Sequence, residues 1–305
     1  MDATEISAVV ELTASLVREH YVDRGAADAI SAAVSRALSE GTYLGCDESG
    51  LAQAVTADLQ KFNGDKHLRL QFHAEPLADR ADADDAAEYA AMRLWADGSC
   101  SGVARVARLE TNIGLVEIAP ILFPLAISGE EITAAMTLIA ATRALIVDLR
   151  SCLGGDPETV AWLCSYLHDR DPVQLTALDE PARDLVRQSW TLPYVPGRRF
   201  GPTKPVFVLT SHTTFSGGEQ LSYDLQALGR ATVVGERTRG GAHAREGFRV
   251  HPHLEATISV ARAVSPITGG NWEGVGVAPD IEVAAEAAFD RAFQLAVTAS
   301  LSATP

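Results

Sequence analysis

"PVFVLTSHTTFSGGEQLSYDLQALG", residues 205–229, sets an apolar run, a short turn holding two glycines and a helical pattern in immediate succession. The run has the length and β-branching of a buried strand, and Leu221, Leu225 and Leu228 then recur on one stripe of a helix. The same alternation is written on either side of it. "NIGLVEIA" (112–119) and "ALIVDL" (144–149) are apolar runs separated by the helical segment "EEITAAMTLIAAT". "PETVAWLCSYLH" follows, with Val160, Leu163, Cys164 and Leu167 at i, i+3, i+4 and i+7, and "ATVVGE" (231–236) reads as one more strand. Strands alternating with helices predict parallel crossover units and an α/β core covered on both faces. In such a sheet the loops leaving the carboxyl ends of the strands gather on one edge, where ligands bind.

Two of those loops carry unusual chemistry. "DLRSCLGGDP" (148–157) places Gly154 and Gly155 just before a helix opened by Asp156 and Pro157. Glycines allow backbone N–H groups to approach a ligand, and a helix start adds positive potential, so the loop is a candidate oxyanion pocket. A tight strand-to-helix turn is the plainer reading of the same residues. The second loop carries Ser216 between Phe215 and the pair Gly217–Gly218. Serine at a helix start is commonly an N-cap, yet the Gly217 N–H beside the hydroxyl also suits an attacking oxygen whose oxyanion needs donors.

A serine hydroxyl needs a base to take its proton. Eight histidines compete for that role, and spacing alone does not choose among them. His67 falls on the polar face of the alternating stretch "KHLRLQFH", opposite Leu68, Leu70 and Phe72, and His243 follows "RGGA". His20, His168, His251 and His253 read as surface or helix-end positions.

The rest of the chain bounds the answer. At 305 residues with 47% hydrophobic content it can bury a large core, and a formal charge of −15 repels phosphate backbones and anionic lipid, so neither nucleic acid nor a membrane is an expected partner. The first residues are acidic and amphipathic, without the basic start and apolar stretch of a secretion signal, and a cytoplasmic protein is the expectation. Cys46, Cys100, Cys152 and Cys164 lack paired metal-ligand spacing, so free thiols and no metal are expected. Residues 1–75 read as an N-terminal helical subdomain ending in a strand, with apolar positions such as Val9, Leu12, Leu16 and Val17 at helical spacing. Residues 76–100, acidic and Ala-rich, read as a connecting segment, and 101–305 as the core.

"ALIVDLRSCLGGDP", "PVFVLTSHTTFSGGEQLSYDLQALGRATVVGERTRGGAH" and "SPITGGNWEGVGVAPDIEV" together resemble the tail-specific, or C-terminal processing, serine peptidases. The branch is the one resembling interphotoreceptor retinoid-binding protein and the tricorn protease core, and the likeness extends through "GDKHLRLQFH" to nearly the full chain. The resemblance implies a ClpP/crotonase-like ββα-superhelix core with an N-terminal helical subdomain; no segment of the sequence reads as the PDZ domain that many relatives insert, and no cofactor is expected. It assigns the nucleophile to Ser216, and the oxyanion donors to Gly217 and to Gly154 or Gly155. Processing-peptidase relatives carry a lysine base in a G-K-G motif, but Gly241 of "ERTRGGAH" stands in its place. The tricorn-like branch uses histidine and glutamate, which match His67 and Glu273 of "NWEGVGVAPD". That set is chemically coherent, since a neutral imidazole takes the serine proton and a carboxylate steadies the imidazolium that forms.

One departure stands in the oxyanion loop, where Cys152 and Leu153 replace the first two residues of the family's Asn-Gly-Gly-Gly. Leu153 is expected to add bulk there, and loss of one good oxyanion donor costs about 3 kcal/mol of transition-state stabilisation. The resulting expectation is a serine hydrolase acting by acyl transfer on a peptide or small acyl substrate. Two other readings share the fold: a binding protein for an apolar small molecule, and a biosynthetic acyl-transfer enzyme.

Overall fold

The computed structural model describes residues 1–77 and 85–302. Its helices are α1 (Ala3–His20), α2 (Arg24–Ser39), α3 (Glu48–Gln60), α4 (Asp85–Asp97), α5 (Leu125–Ile139), α6 (Pro157–Leu167), α7 (Gly217–Ala227) and α8 (Ala285–Ser302). Its strands are β1 (Arg69–Phe72), β2 (Val103–Arg108), β3 (Ile113–Ile118), β4 (Ala144–Asp148), β5 (Ala177–Glu180) and β6 (Leu185–Arg187). They continue with β7 (Val206–Thr210), β8 (Thr232–Gly235), β9 (His243–His251), β10 (Leu254–Val264) and β11 (Ile281–Glu282). Within the 76–100 connection, residues 78–84 lie outside the described residues, and α4 occupies most of the remainder.

Two compact units account for the chain. The first comprises Met1–Glu88, Leu178–Arg187 and His243–Ala263, and the second Tyr89–Ala177, Gln188–Ala242 and Val264–Pro305. The units therefore interleave along the sequence, whereas boundaries at residues 75 and 100 would follow one another in chain order.

In the second unit a six-stranded sheet runs in the order β11-β8-β7-β4-β3-β2, parallel from β11 to β3, with β2 antiparallel at one edge. Side chains along a strand alternate between faces, so each apolar run supplies two cores at once. Val116, Ile118, Leu145, Val147, Val206 and Val208 pack with Ile132, Met136, Val160, Leu163, Leu221 and Leu225 of α5, α6 and α7. On the opposite face Ile113, Leu115, Ala144, Ile146, Phe207 and Leu209 meet Ala288, Ala292 and Ala296 of α8. Continuous burial on both faces is why β4 and β7 contain no polar alternation.

The first unit joins three helices to a sheet ordered β1-β10-β5-β6, with β9 also paired to β10. Aspartates open the helices: Asp2 forms a capping box with Glu5, and Asp23 and Asp47 accept from N–H groups of the first turns of α2 and α3. Ile6, Val10, Val17, Ile30, Leu51 and Val55 then bury against Leu68, Leu70, Phe248, Leu254 and Ile258. The face expected for "KHLRLQFH" holds at Leu68 and Leu70, both buried, and ends at Phe72, which is 42% exposed.

Candidate active site

Within the second unit, the turn after β7 and the loop after β4 meet at the carboxyl edge of the parallel sheet. The Phe215 N–H donates to the Cys152 carbonyl at 3.1 Å, and the Thr214 hydroxyl donates to the Leu149 carbonyl at 2.8 Å. Ser216 follows at the N-cap of α7 with φ 49° and ψ −117°, in a half-plane of backbone space that non-glycine residues avoid. Gly154, with φ 129°, packs directly on it, and Gly155, with φ 130°, lies against Gly217. A side chain at Gly154 would come to 2.9 Å of Ser216 Cβ, 3.5 Å of its Oγ and 3.6 Å of the Gly217 nitrogen. A side chain at Gly155 would run into the Leu122 carbonyl. The structure thus brings Ser216, Gly217, Gly154 and Gly155 together, and the glycines are the residue type that this approach requires. Gly217 is the first residue of α7, where a helix has no internal partner for the N–H.

The two unusual residues of the glycine loop occupy different environments. The Cys152 thiol is buried, which pushes it up to about 11, and it lies under the start of α7 near Gly218. Leu153 is 51% exposed, and its N–H donates to the Pro120 carbonyl at 2.8 Å. Asp156 caps α6 through the Thr159 N–H, and Pro157 fills the first helical position, as the sequence predicts.

Glu219 is the residue that sequence reasoning missed. It is fully buried and takes four hydrogen bonds: Oε1 accepts from Thr238 Oγ1 at 2.5 Å and the Gly240 N–H at 2.6 Å, and Oε2 from the N–H groups of Ser216 and Gly241, both at 2.8 Å. Burial holds its carboxyl above the usual range, and those hydrogen bonds pull against that rise. The signal available in the sequence is the capping-box spacing of "SGGE", which accounts for the Ser216 bond alone. Gly241, which stands where the processing-peptidase branch carries its lysine, contributes its backbone N–H to this carboxylate.

Glu273 belongs to a loop of the same unit. Its Oε2 accepts the Ala242 N–H at 2.5 Å, and its own N–H donates to Asn271 Oδ1 at 2.9 Å. Beside it the Trp272 indole donates to the Gly241 carbonyl at 3.0 Å and stacks obliquely on Tyr223.

His67 belongs to the first unit, and it is 5% exposed, so its expected position on a polar strand face is corrected. It precedes β1, and its backbone is pinned at both ends: the N–H donates to Asp65 Oδ1 at 2.9 Å, and its carbonyl accepts from Thr257 Oγ1 at 2.6 Å. The buried Asp65 carboxylate also accepts from the Tyr21 hydroxyl at 3.0 Å and from His243 Nδ1 at 2.8 Å. Burial alone would raise Asp65, but the His243 hydrogen bond and charge, with the His67 N–H, bring it down to about 2. For His67, burial is the largest influence and lowers it to about 4, with Arg245, His243 and Arg69 adding to the fall and Asp65 opposing it. Its imidazole is therefore neutral at pH 7 and free of the positive charge that would disqualify it as a base.

A serine turn pressed against a glycine loop at the carboxyl edge of a parallel α/β sheet sets a hydroxyl beside backbone N–H groups. The chain belongs to peptidase family S41, whose family model matches residues 112–283. A second model, the N-terminal domain of Peptidase_S41 in eukaryotic IRBP, matches residues 3–97. Among solved structures, a lipoprotein from Streptococcus agalactiae is similar at 15% identity and a TM-score of 0.63, over 96% of each chain. The photosystem II D1 C-terminal processing protease is similar at 16% identity and a TM-score of 0.54, over 93% of this chain and 94% of that one. The tricorn protease is similar at 14% identity and a TM-score of 0.64, over 98% of this chain and 37% of the longer one. At these identities the likeness concerns the fold. No described helix is long and apolar enough to cross a membrane.

Proposed function

We propose that the protein is a serine peptidase that cleaves peptide substrates by acyl transfer, with Ser216, His67 and Glu273 as its catalytic triad. Ser216 Oγ attacks the substrate carbonyl while His67 takes its proton, and Glu273 orients the imidazole and steadies the imidazolium. The N–H groups of Gly217 and of the Gly154–Gly155 loop receive the oxyanion. His67 then returns the proton to the leaving amine, and water repeats the sequence to release the acid. The observation that carries this reading is the approach of Gly154 to Ser216, too close to admit a side chain, which sets a strained serine beside the Gly217 and Gly154 backbone. Family membership supports it, as does the neutrality of the His67 ring.

A fluorophosphonate probe tests it, with mass spectrometry of the peptide containing residue 216. The wild type should be labelled at Ser216, Ser216→Ala should not, and His67→Ala should react roughly a hundredfold more slowly, the usual loss on removing a general base. A folded wild type that takes no label, or a Ser216→Ala variant that takes as much, would overturn the proposal. Exposure to peptide libraries then defines the cleavage preference.

A further inference from the structure

A capping box needs one bond from its glutamate, to the N–H of the cap residue. Glu219 makes that bond to Ser216 and three more, all to Thr238, Gly240 and Gly241. Burying a carboxylate completely is costly unless every lone pair is used, and a helix start alone gives no reason to bear that cost. The three extra partners lie in a loop that is itself laced to the segment bearing Glu273. Thr238 Oγ1 accepts the Val277 N–H at 2.7 Å, and the Thr238 N–H donates to the Val277 carbonyl at 3.1 Å. The Gly274 N–H reaches the Gly240 carbonyl at 3.2 Å, the Trp272 indole reaches the Gly241 carbonyl, and the Ala242 N–H ends on Glu273 itself. One carboxylate thus links the serine turn to the glutamate loop through residues 238–242, all within the second unit.

We propose that Glu219 is a positioning residue that must act as a carboxylate, holding the Ser216 turn, the 238–242 loop and the Glu273 loop in one fixed register. This rests on the reading of Ser216 as nucleophile and Glu273 as the orienting carboxylate. All four partners present hydrogens to Glu219, so the site accepts a group with acceptors only. An amide of the same shape brings an NH2 against N–H groups that already point inward. Glu219→Gln is therefore expected to behave like a deletion, although it preserves size and shape.

The test uses the full chain and compares fluorophosphonate labelling of wild type, Glu219→Gln and Thr238→Val, separating the maximal rate constant, the half-saturating probe concentration and the fraction labelled. If Glu219 positions the site, Glu219→Gln lowers the maximal rate constant roughly ten- to a hundredfold, the range for a lost charged hydrogen bond, with half-saturation little changed. Thr238→Val, which removes the hydroxyl's bonds to Glu219 and to the Val277 N–H, lowers it by a smaller factor. A merely structural role would lower the fraction labelled and leave the rate constant of the remaining sites intact, and that result would overturn the proposal. Should Glu219→Gln fail to fold, an unchanged rate constant in Thr238→Val would overturn it instead. If the wild type takes no label, the reading of Ser216 fails separately. Amide hydrogen exchange then decides the clamp: Thr238→Val should lose protection at residues 240, 241 and 274–277, and unchanged protection there would refute it.

Discussion

Charging a histidine that is sealed from water costs solvation free energy, and this governs what His67 can do. Arg245, His243 and Arg69 add to the effect of burial, so the folded protein resists protonating His67 until about pH 4, against about 6.5 for the unfolded chain. Above pH 6.5 both states hold the ring neutral and the group contributes no pH dependence. Between pH 6.5 and 4 the unfolded chain binds a proton that the folded chain refuses, so stability falls as pH drops through this window. The same number has a kinetic counterpart. If His67 is the base for Ser216, the acid limb of the labelling rate should have its midpoint near pH 4, well below the ordinary histidine range. Arg245→Ala removes a cation that disfavours imidazolium, so its limb should move upward. Labelling rates from pH 3.5 to 8 for both proteins check this, and limbs near 6.5 in both would show that the titrating group is another residue.

Helix α8 lies against the sheet with three alanines at its fully buried positions, flanked by the partly buried Phe289, Phe293, Leu295 and Val297. Ala288, Ala292 and Ala296 recur every four positions and are fully buried against Ile113, Ile146, Phe207 and Leu209. Small residues on the contact stripe let the helix approach closely, and the packing leaves no room for added methylenes. Ala292→Leu is expected to destabilise by about 1–3 kcal/mol in chemical denaturation, whereas Gln294→Leu, on the exposed side of the same helix, should stay within about 0.5 kcal/mol. Such elements differ in how plainly the sequence announces them. β3, β4, β7 and β8 are legible because burial on both faces writes them as largely apolar runs, and α5, α6 and α7 are legible from their stripes. β9 is not, because "HAREGFRVH" buries Phe248 alone and sets histidine or charged residues at five of the other eight positions. The candidate site divides in the same way. Ser216, Gly154 and Gly155 stand out by their local pattern, since strand, glycine and helix adjoin in the chain. His67 does not, because the alternation around it predicts a polar face, while its burial follows from partners such as Thr257 and His243, far along the chain. Glu219 is half legible: its bond to Ser216 follows from spacing, and its bonds to residues 238–241 arise only once the chain has folded back.

At the scale of the whole molecule, the first unit is assembled from pieces of chain that are distant in sequence. Its helices bury Val10, Val17, Leu51 and Val55 in the same cluster as Phe248, Leu254, Ala256 and Ile258, which arrive with β9 and β10. β1 has its register set by β10, from Arg69 opposite Thr257 to Phe72 opposite Leu254. The region matched as an N-terminal domain, residues 3–97, therefore lacks part of its core and the partner of its strand. Helix capping by Asp2, Asp23 and Asp47 is local and survives in isolation, but packing against the missing strands does not. A fragment of residues 1–97 is thus expected to keep helical circular dichroism while melting without a sharp transition and binding a hydrophobic dye, the behaviour of helices without fixed tertiary packing. Joining residues 243–264 to it through a flexible linker should restore a cooperative melt and abolish dye binding. It should also return the His67 ring to a low pKa in NMR titration, because the ring is buried again and Arg245 and His243 once more stand near it. A cooperative melt for residues 1–97 alone would show that the helices and β1 close a core without the hairpin, and that the burial of Phe248, Leu254 and Ile258 is incidental to the stability of this unit.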